Sequence, residues 1–280
     1  MMTATDEPGT AGERYAAAPA DPGRPRRRGP WLWLAALTAL VVAVPLGLEV
    51  AGVQLERSSD TSETLPPHAL RAVEIDATSA AVTVRSAASG QARLRKDLHW
   101  TLARPQIRTS WDGDTLRLKA ICEDGAFNRF GLCDAEVTLS VPPGVSVRGR
   151  VASGTLAVRG LSGGVDVVGN SGTLELSDLS GPVRARVGSG SVNGERLRSG
   201  DVSATAGSGS IDLGFTSAPQ RVVARTGSGS IALAVPAGSR YALSGRSGSG
   251  SWEIADGIVD SSSANSLDLT TGSGSVDVHY

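Results

Sequence analysis

Between Ser153 and Tyr280 one phrase recurs seven times: SGTLAV at 153–158, SGTLEL at 171–176, SGSVNG at 189–194, SGSIDL at 208–213, SGSIAL at 228–233, SGSWEI at 249–254 and SGSVDV at 273–278. The steps between Ser-Gly pairs are 18, 18, 19, 20, 21 and 24 residues. A period near twenty predicts a solenoid, in which each unit is one coil that buries its apolar face against its neighbours. Two residues beyond each Ser-Gly stand Leu156, Leu174, Val192, Ile211, Ile231, Trp252 and Val276, all apolar. The next column is mostly polar: Ala157, Glu175, Asn193, Asp212, Ala232, Glu253 and Asp277. Such period-two alternation marks half-buried strands. A second strand follows about ten residues later in each coil, with Val165, Val183, Val202, Val222, Leu243 and Leu267 facing inward. A Gly/Ser linker would not hold apolar residues in fixed columns. Glycine supplies the positive φ that tight turns between short strands require. The expected fold class is all-β: a parallel β-solenoid of short two-strand coils with Gly-Ser turns, preceded by one transmembrane helix.

The helix is expected at 30–52. Trp31 to Leu48 carries no charge, and Glu49 is the one charge in the longer span, which is long enough for a hydrocarbon core of roughly 30 Å. Arg24, Arg26, Arg27 and Arg28 precede it, and Glu49, Glu56 and Asp60 follow. The positive-inside rule then places the N-terminus in the cytoplasm and the rest outside a cell membrane crossed once. A cleaved signal peptide is the competing reading, but no good small-x-small site follows the apolar run. Before it, 1–29 reads as a disordered cytoplasmic tail. After it, 53–67 reads as a polar stalk, 68–147 as a less regular β part that starts the solenoid, and 148–280 as the regular repeats. Cys122 and Cys133 enclose a short loop in that β part. Outside the membrane a disulfide is the natural reading; closing so short a loop would stabilise by roughly 3 kcal/mol in the chain-entropy model. Neither zinc nor CxxC redox chemistry fits their spacing and the distant histidines.

The phrase Gly-Ser-Gly-Ser-apolar (Gly188 to Val192, Gly207 to Ile211, Gly227 to Ile231, Gly272 to Val276), together with the lead-in Val137 to Val147, VTLSVPPGVSV, resembles the bacterial "putative adhesin" β-strand-repeat family, a domain of unknown function. The resemblance covers roughly Val73 to Tyr280. It implies an extracytoplasmic β-solenoid, and brings no catalytic residues to carry over, because the shared motifs are turn and core positions.

Composition bounds the function. The 280 residues have a formal net charge of -1, which argues against nucleic acid as a partner. Gly160 to Gly164 matches GxSxG, but a nucleophile elbow needs a following helix and a histidine partner, and the pattern offers neither. No phosphate loop or calcium-roll motif occurs, and no cofactor is implied. The outward charges form a candidate binding face: Glu175, Asp212, Glu253 and Asp277 on one strand of the coil, and Arg186, Arg225 and Arg246 on the other. Glu175, Asp212 and Glu253 stand two rungs apart in simple sequential stacking, roughly 10 Å, which suits glycosidase acid pairs poorly. The expected role is therefore non-enzymatic: an adhesin-like or scaffold module contacting an envelope protein or a wall glycan. An accessory regulator of an envelope-stress system and a carbohydrate-active enzyme are the alternatives. Val276 to Tyr280 ends the chain without a polar cap, so the last strand is expected to offer an open edge for self-association.

Overall fold

The computed structural model describes residues 33–34, 37–41, 43, 57–66, 69–87, 90–100, 104–122 and 133–280, the Cys133 side chain excepted. Two units are distinguished, Met1–Val50 and Ala51–Tyr280. In the first, the described residues are helical. Among the described residues no helix is long and apolar enough to cross a membrane. The tail expected at 1–29, most of the span expected at 30–52, and the loop 123–132 lie outside the described residues.

The second unit is all-β. Its strands are β1 (Arg57–Thr64), β2 (Ala72–Ser86), β3 (Arg93–Trp100), β4 (Gln106–Asp112), β5 (Thr115–Ile121), β6 (Cys133–Val141), β7 (Ser146–Arg159), β8 (Val165–Ser177), β9 (Val183–Leu197), β10 (Asp201–Ser208), β11 (Ile211–Phe215), β12 (Arg221–Ser228), β13 (Ile231–Ala234), β14 (Ala242–Ser249), β15 (Trp252–Ile254), β16 (Ser266–Ser273) and β17 (Val276–His279). Each repeat forms a leading half-strand, a corner at Ser-Gly and a trailing half-strand. In β7, β8 and β9 the ladder runs through the corner unbroken; later repeats divide there into pairs such as β10 and β11. Neighbouring repeats pair in parallel with like residues opposed: Ser153 with Ser171, Ser171 with Ser189, Leu156 with Leu174, Leu174 with Val192. The inward columns read from the sequence are the buried ones except in the outermost coil, where Leu243 and Trp252 are half-buried. Val165, Val183, Val202, Val222 and Leu267 line one side of the core, and Leu174, Val192, Ile211, Ile231 and Val276 the other. One continuous apolar cluster runs from Leu65 to Val278, so the less regular first part and the regular repeats share a core.

The corner sets the close stacking. Gly154, Gly172, Gly190, Gly209, Gly229, Gly274 and Gly250 all have φ between +116° and +140°. That region is essentially closed to residues with a Cβ. Space forbids a side chain too: a Cβ at Gly190 would fall on the carbonyl oxygen of Gly172, and one at Gly172 on that of Gly154. In the last repeats the column just before the corner changes from apolar to hydroxyl, and the hydroxyls bond across coils. Thr226 Oγ1 donates to the Gly209 carbonyl, Thr271 Oγ1 to that of Gly229 and Ser247 Oγ to that of Gly274, each at 3.0 Å. Buried hydroxyls with partners avoid the cost of an unsatisfied polar group.

The order of the coils departs from the order of the chain at both ends. β12 pairs not with β14 but with β16, and β14 pairs with the far side of β16. β17 likewise lies between β13 and β15. The final strand therefore has no free edge, contrary to the sequence expectation; the outermost coil is β14 with β15. The reason is in the chain: the longest step, 24 residues, includes the excursion 255–265, long enough to carry the last repeat back over its predecessor. At the other end β2 pairs with β7 on one side and with β5 and β6 on the other. β2 is a coil without the Ser-Gly phrase, its corner being Ser79-Ala80 opposite Ser153-Gly154. β5 and β6 make one more coil, pairing with the first and second halves of β2.

Two further expectations are corrected. The sheet is mixed rather than wholly parallel: β4 pairs antiparallel with β5, β3 with β6, and β1 with β3. The tight turn at Gly113, φ +57°, folds β4 back on β5, as antiparallel hairpins allow. The segment 57–64, read as stalk, is instead β1, and its carboxylates bond to the edge it covers: Asp60 with Arg95 at 2.7 Å and Glu63 with Lys96 at 3.7 Å.

At the opposite bend of the coil Gly160, Asp178 and Arg196 stack, all with positive φ (71°, 55° and 50°). Asp tolerates this conformation and Arg tolerates it poorly. A two-pronged ion pair compensates, with Arg196 Nε 3.0 Å and Nη2 2.7 Å from the Asp178 carboxylate. Hydrogen bonding from Arg196 holds the Asp178 carboxyl below its ordinary value of 3.8.

Two stability measurements check these points. Gly190→Ala should cost at least about 2–3 kcal/mol in urea unfolding, through forbidden φ and the blocked carbonyl. Gly164→Ala, whose added carbon meets nothing closer than 3.7 Å, should cost less than about 1 kcal/mol. Arg196→Ala removes the ion pair and keeps the backbone strain, so its urea midpoint should fall below that of Arg196→Gly, which relieves the strain. A carboxyl with a lowered folded pKa stabilises above its unfolded pKa and ceases to do so as pH falls through the folded one. The advantage of wild type over Arg196→Ala should therefore be present above pH 3.8 and vanish in more acid solution.

Candidate functional site

Two outward faces follow from the corner, one from the leading half-strands and one from the trailing. On the leading face, outward positions two residues apart carry like charges. β5 presents Arg117 and Lys119, β7 presents Arg148 and Arg150, and β9 presents Arg184 and Arg186. Between them, β2 presents Glu74 and Asp76, and β8 presents Asp166 and the half-exposed Val168. Parallel register places these coils side by side, so cationic and acidic rungs alternate from β5 to β9. Like-charged rungs are two apart, roughly 10 Å.

A groove of about 740 Å³ runs across this face. Its charged lining is Arg108, Arg117, Lys119, Arg148, Arg150 and Arg186 against Glu74, Asp76 and Asp166, twice as many cations as anions. A second hollow of about 480 Å³ shares Asp76, Arg150, Val168 and Arg186 and extends to the corner at Gly188. The acids are taken by the outer cations: Glu74 lies 3.0 Å from Arg117, Asp76 3.9 Å from Lys119, and Asp166 3.5 Å from Arg186. Arg148 and Arg150, on the central rung, form no ion pair among the described residues, and neither does Arg184.

The residues singled out from the sequence divide between the faces. Arg186 lies in the groove. Arg225 is on the leading face further along and is held by Asp268. Arg246 is on the outermost coil, opposite Thr270. The acids lie on the trailing face; of the four, Glu253 and Asp277 come together as partners on neighbouring strands, and the others stay apart. Glu175 is bound by Arg159 at 2.9 Å. Asp212 stands between Asn193 and Ala232. Because the last coils exchange places, Asp277 follows Ala232, and Glu253 lies beyond Asp277, three rungs from Asp212 rather than two. Ser162 of the GxSxG match donates to the Pro143 carbonyl at 3.1 Å, a turn contact. Among the described residues no cluster of three His, Cys, Asp or Glu side chains could hold a metal ion.

Sequence reasoning missed Arg117, Lys119, Arg148, Arg150 and the groove they line. The signal was present as three cation-x-cation triplets, RLK, RGR and RAR, each on the outward parity of a strand. Their adjacency was hidden because β2 and β5 stack out of chain order.

No protein-family model matches the chain, and no curated protein matches it. Among solved structures, a "putative cell adhesion protein" from Clostridium sporogenes is similar at 11% identity and a TM-score of 0.35, over 80% of this chain and 99% of that one. A "putative adhesin" from Bacteroides fragilis is similar at 13% identity and 0.34, over 80% and 97%. A "putative lipid binding protein" from Parabacteroides distasonis is similar at 11% identity and 0.34, over 79% and 96%.

Proposed function

We propose that this chain is a β-solenoid, parallel in its repeats, held outside the cell by a single N-terminal membrane span, and that it acts as an adhesin-like interaction module without catalysis. The groove carries this reading: a hollow with a two-to-one excess of cations, on a hydrogen-bonded sheet, whose central arginines have no ion-pair partner among the described residues. Fixed strands hold the backbone beneath the charged groups at set spacing, so binding orders side chains but not backbone, which favours recognition over a large, regular ligand. On the trailing face Glu175 is engaged by Arg159 and Asp212 has no acid on either neighbouring rung, so neither offers a glycosidase pair; Glu253 and Asp277 are neighbours, with Asp277 also 3.5 Å from His279.

A Cys122–Cys133 disulfide belongs to the same extracytoplasmic reading. Cys122 directly follows β5 and Cys133 begins β6, so a cross-link would tie the two halves of that coil together. Intact mass of protein from its native compartment should show two hydrogens fewer than the reduced chain. The reduced mass there counts against both the cross-link and the location.

The function itself is tested by exposing isolated cell envelope to the full chain and identifying bound proteins by mass spectrometry and bound polymers by sugar analysis. A defined wall polymer or envelope protein, released when Arg148→Glu and Arg150→Glu are combined, is the expected result. Capture that ignores the double reversal sinks the role given to the groove.

A further inference from the structure

We propose that the groove binds a linear acidic polysaccharide, laid across the coils from β5 to β9. The proposal rests on the interaction-module reading above and names its ligand. Three observations carry it. First, Arg148 and Arg150 are exposed and lack ion-pair partners among the described residues, while the acids on either side are held by Arg117, Lys119 and Arg186. An anion arriving at the central rung therefore displaces no existing pair. Guanidinium forks bind carboxylate, sulfate or phosphodiester oxygens with two parallel hydrogen bonds.

Second, the cationic rungs recur every second coil, roughly 10 Å apart. A polymer running along the stack presents anions to β5, β7 and β9 in turn, and its uncharged portions cross the acidic rungs. A polymer with regularly spaced charges suits this pattern; a compact small molecule would meet one rung.

Third, the shape and lining select among polyanions. The site is concave, which fits a chain rather than a flat lipid surface. Among its apolar lining residues Ile75 and Leu118 are buried and Val168 is exposed, and no aromatic residue lines it among the described residues. Single-stranded nucleic acid is held by base stacking on aromatic platforms; none lines the groove among the described residues, and the whole-chain charge is -1.

The test uses the full chain in detergent, with folding checked by circular dichroism, and measures binding to purified hyaluronate as the acidic polysaccharide, with neutral dextran as control. Phosphatidylglycerol vesicles and single-stranded DNA are the competing polyanions. Hyaluronate should bind, dextran should not, and affinity should fall as salt rises. Combining Arg148→Ala with Arg150→Ala should weaken hyaluronate binding at least roughly tenfold, the scale of two lost charge-assisted contacts. Arg159→Ala, on the trailing face, should leave it unchanged. No hyaluronate binding, equal binding of dextran, tighter binding of vesicles or DNA, or indifference to the arginine pair overturns the proposal. Envelope capture that depends on Arg148 and Arg150, beside failure with hyaluronate, overturns the ligand class and leaves the interaction module standing. Failure of both removes both.

Discussion

The carbonyl oxygen of one corner glycine lies where the next coil would otherwise place a Cβ. This exclusion governs the repeat region. It requires glycine at Gly154, Gly172, Gly190, Gly209, Gly229, Gly274 and Gly250, because both the positive φ and the contact distance forbid anything larger. It also fixes register. A coil that slipped by one residue would bring a serine side chain against a backbone oxygen and turn its apolar column to solvent. The core can then be built from valine, leucine and alanine with few aromatic residues, since the halves of each coil are joined at a bend without bulk.

Charge follows from that register. With like positions stacked, any outward residue lies beside its counterpart one coil away, and rows of charge arise without long-range design. On the leading face the rows alternate in sign, so each acidic row can satisfy only some of its neighbours. Glu74 and Asp76 turn toward Arg117 and Lys119, and Asp166 toward Arg186. The row between them is left with charge to spare. On the trailing face Arg159 with Glu175 and Arg196 with Asp178 close their pairs locally. Exposed pairs of this kind contribute little to stability, so the difference between the faces bears on what each can bind.

Much of this was legible in the sequence because the repeat phrase encodes steric facts. Serine and glycine mark the corner, the residue two places on is buried and the next points out; the columns so assigned are those of the structure, apart from Trp252, half-buried on the outermost coil, and Ala157, which is buried. What could not be read was which coil touches which. Stacking order depends on the excursion 255–265 and on β2, whose Ser79-Ala80 corner lacks the signature. The open edge was therefore assigned to Val276 to Tyr280, whose strand β17 is enclosed on both sides. The groove escaped notice for the same reason, since Glu74, Arg117 and Arg148 are distant in sequence and adjacent across the sheet. The strand at 57–64 was missed because it is polar throughout, its place given by a partner edge rather than by its own periodicity.

The exchange of places at both ends limits how such a protein can change over generations. In a simple stack, repeats can be gained or lost at either terminus with little consequence. Here the coil of β2 and the coil of β16 with β17 are clamped between others, so losing either would strip two neighbours of their partners. The freely duplicable stretch is the middle, from β8 to β13, where chain order and stacking order coincide. Lineages of this fold would be expected to vary in length there, keeping the two ends constant and lengthening the rows of charge between them.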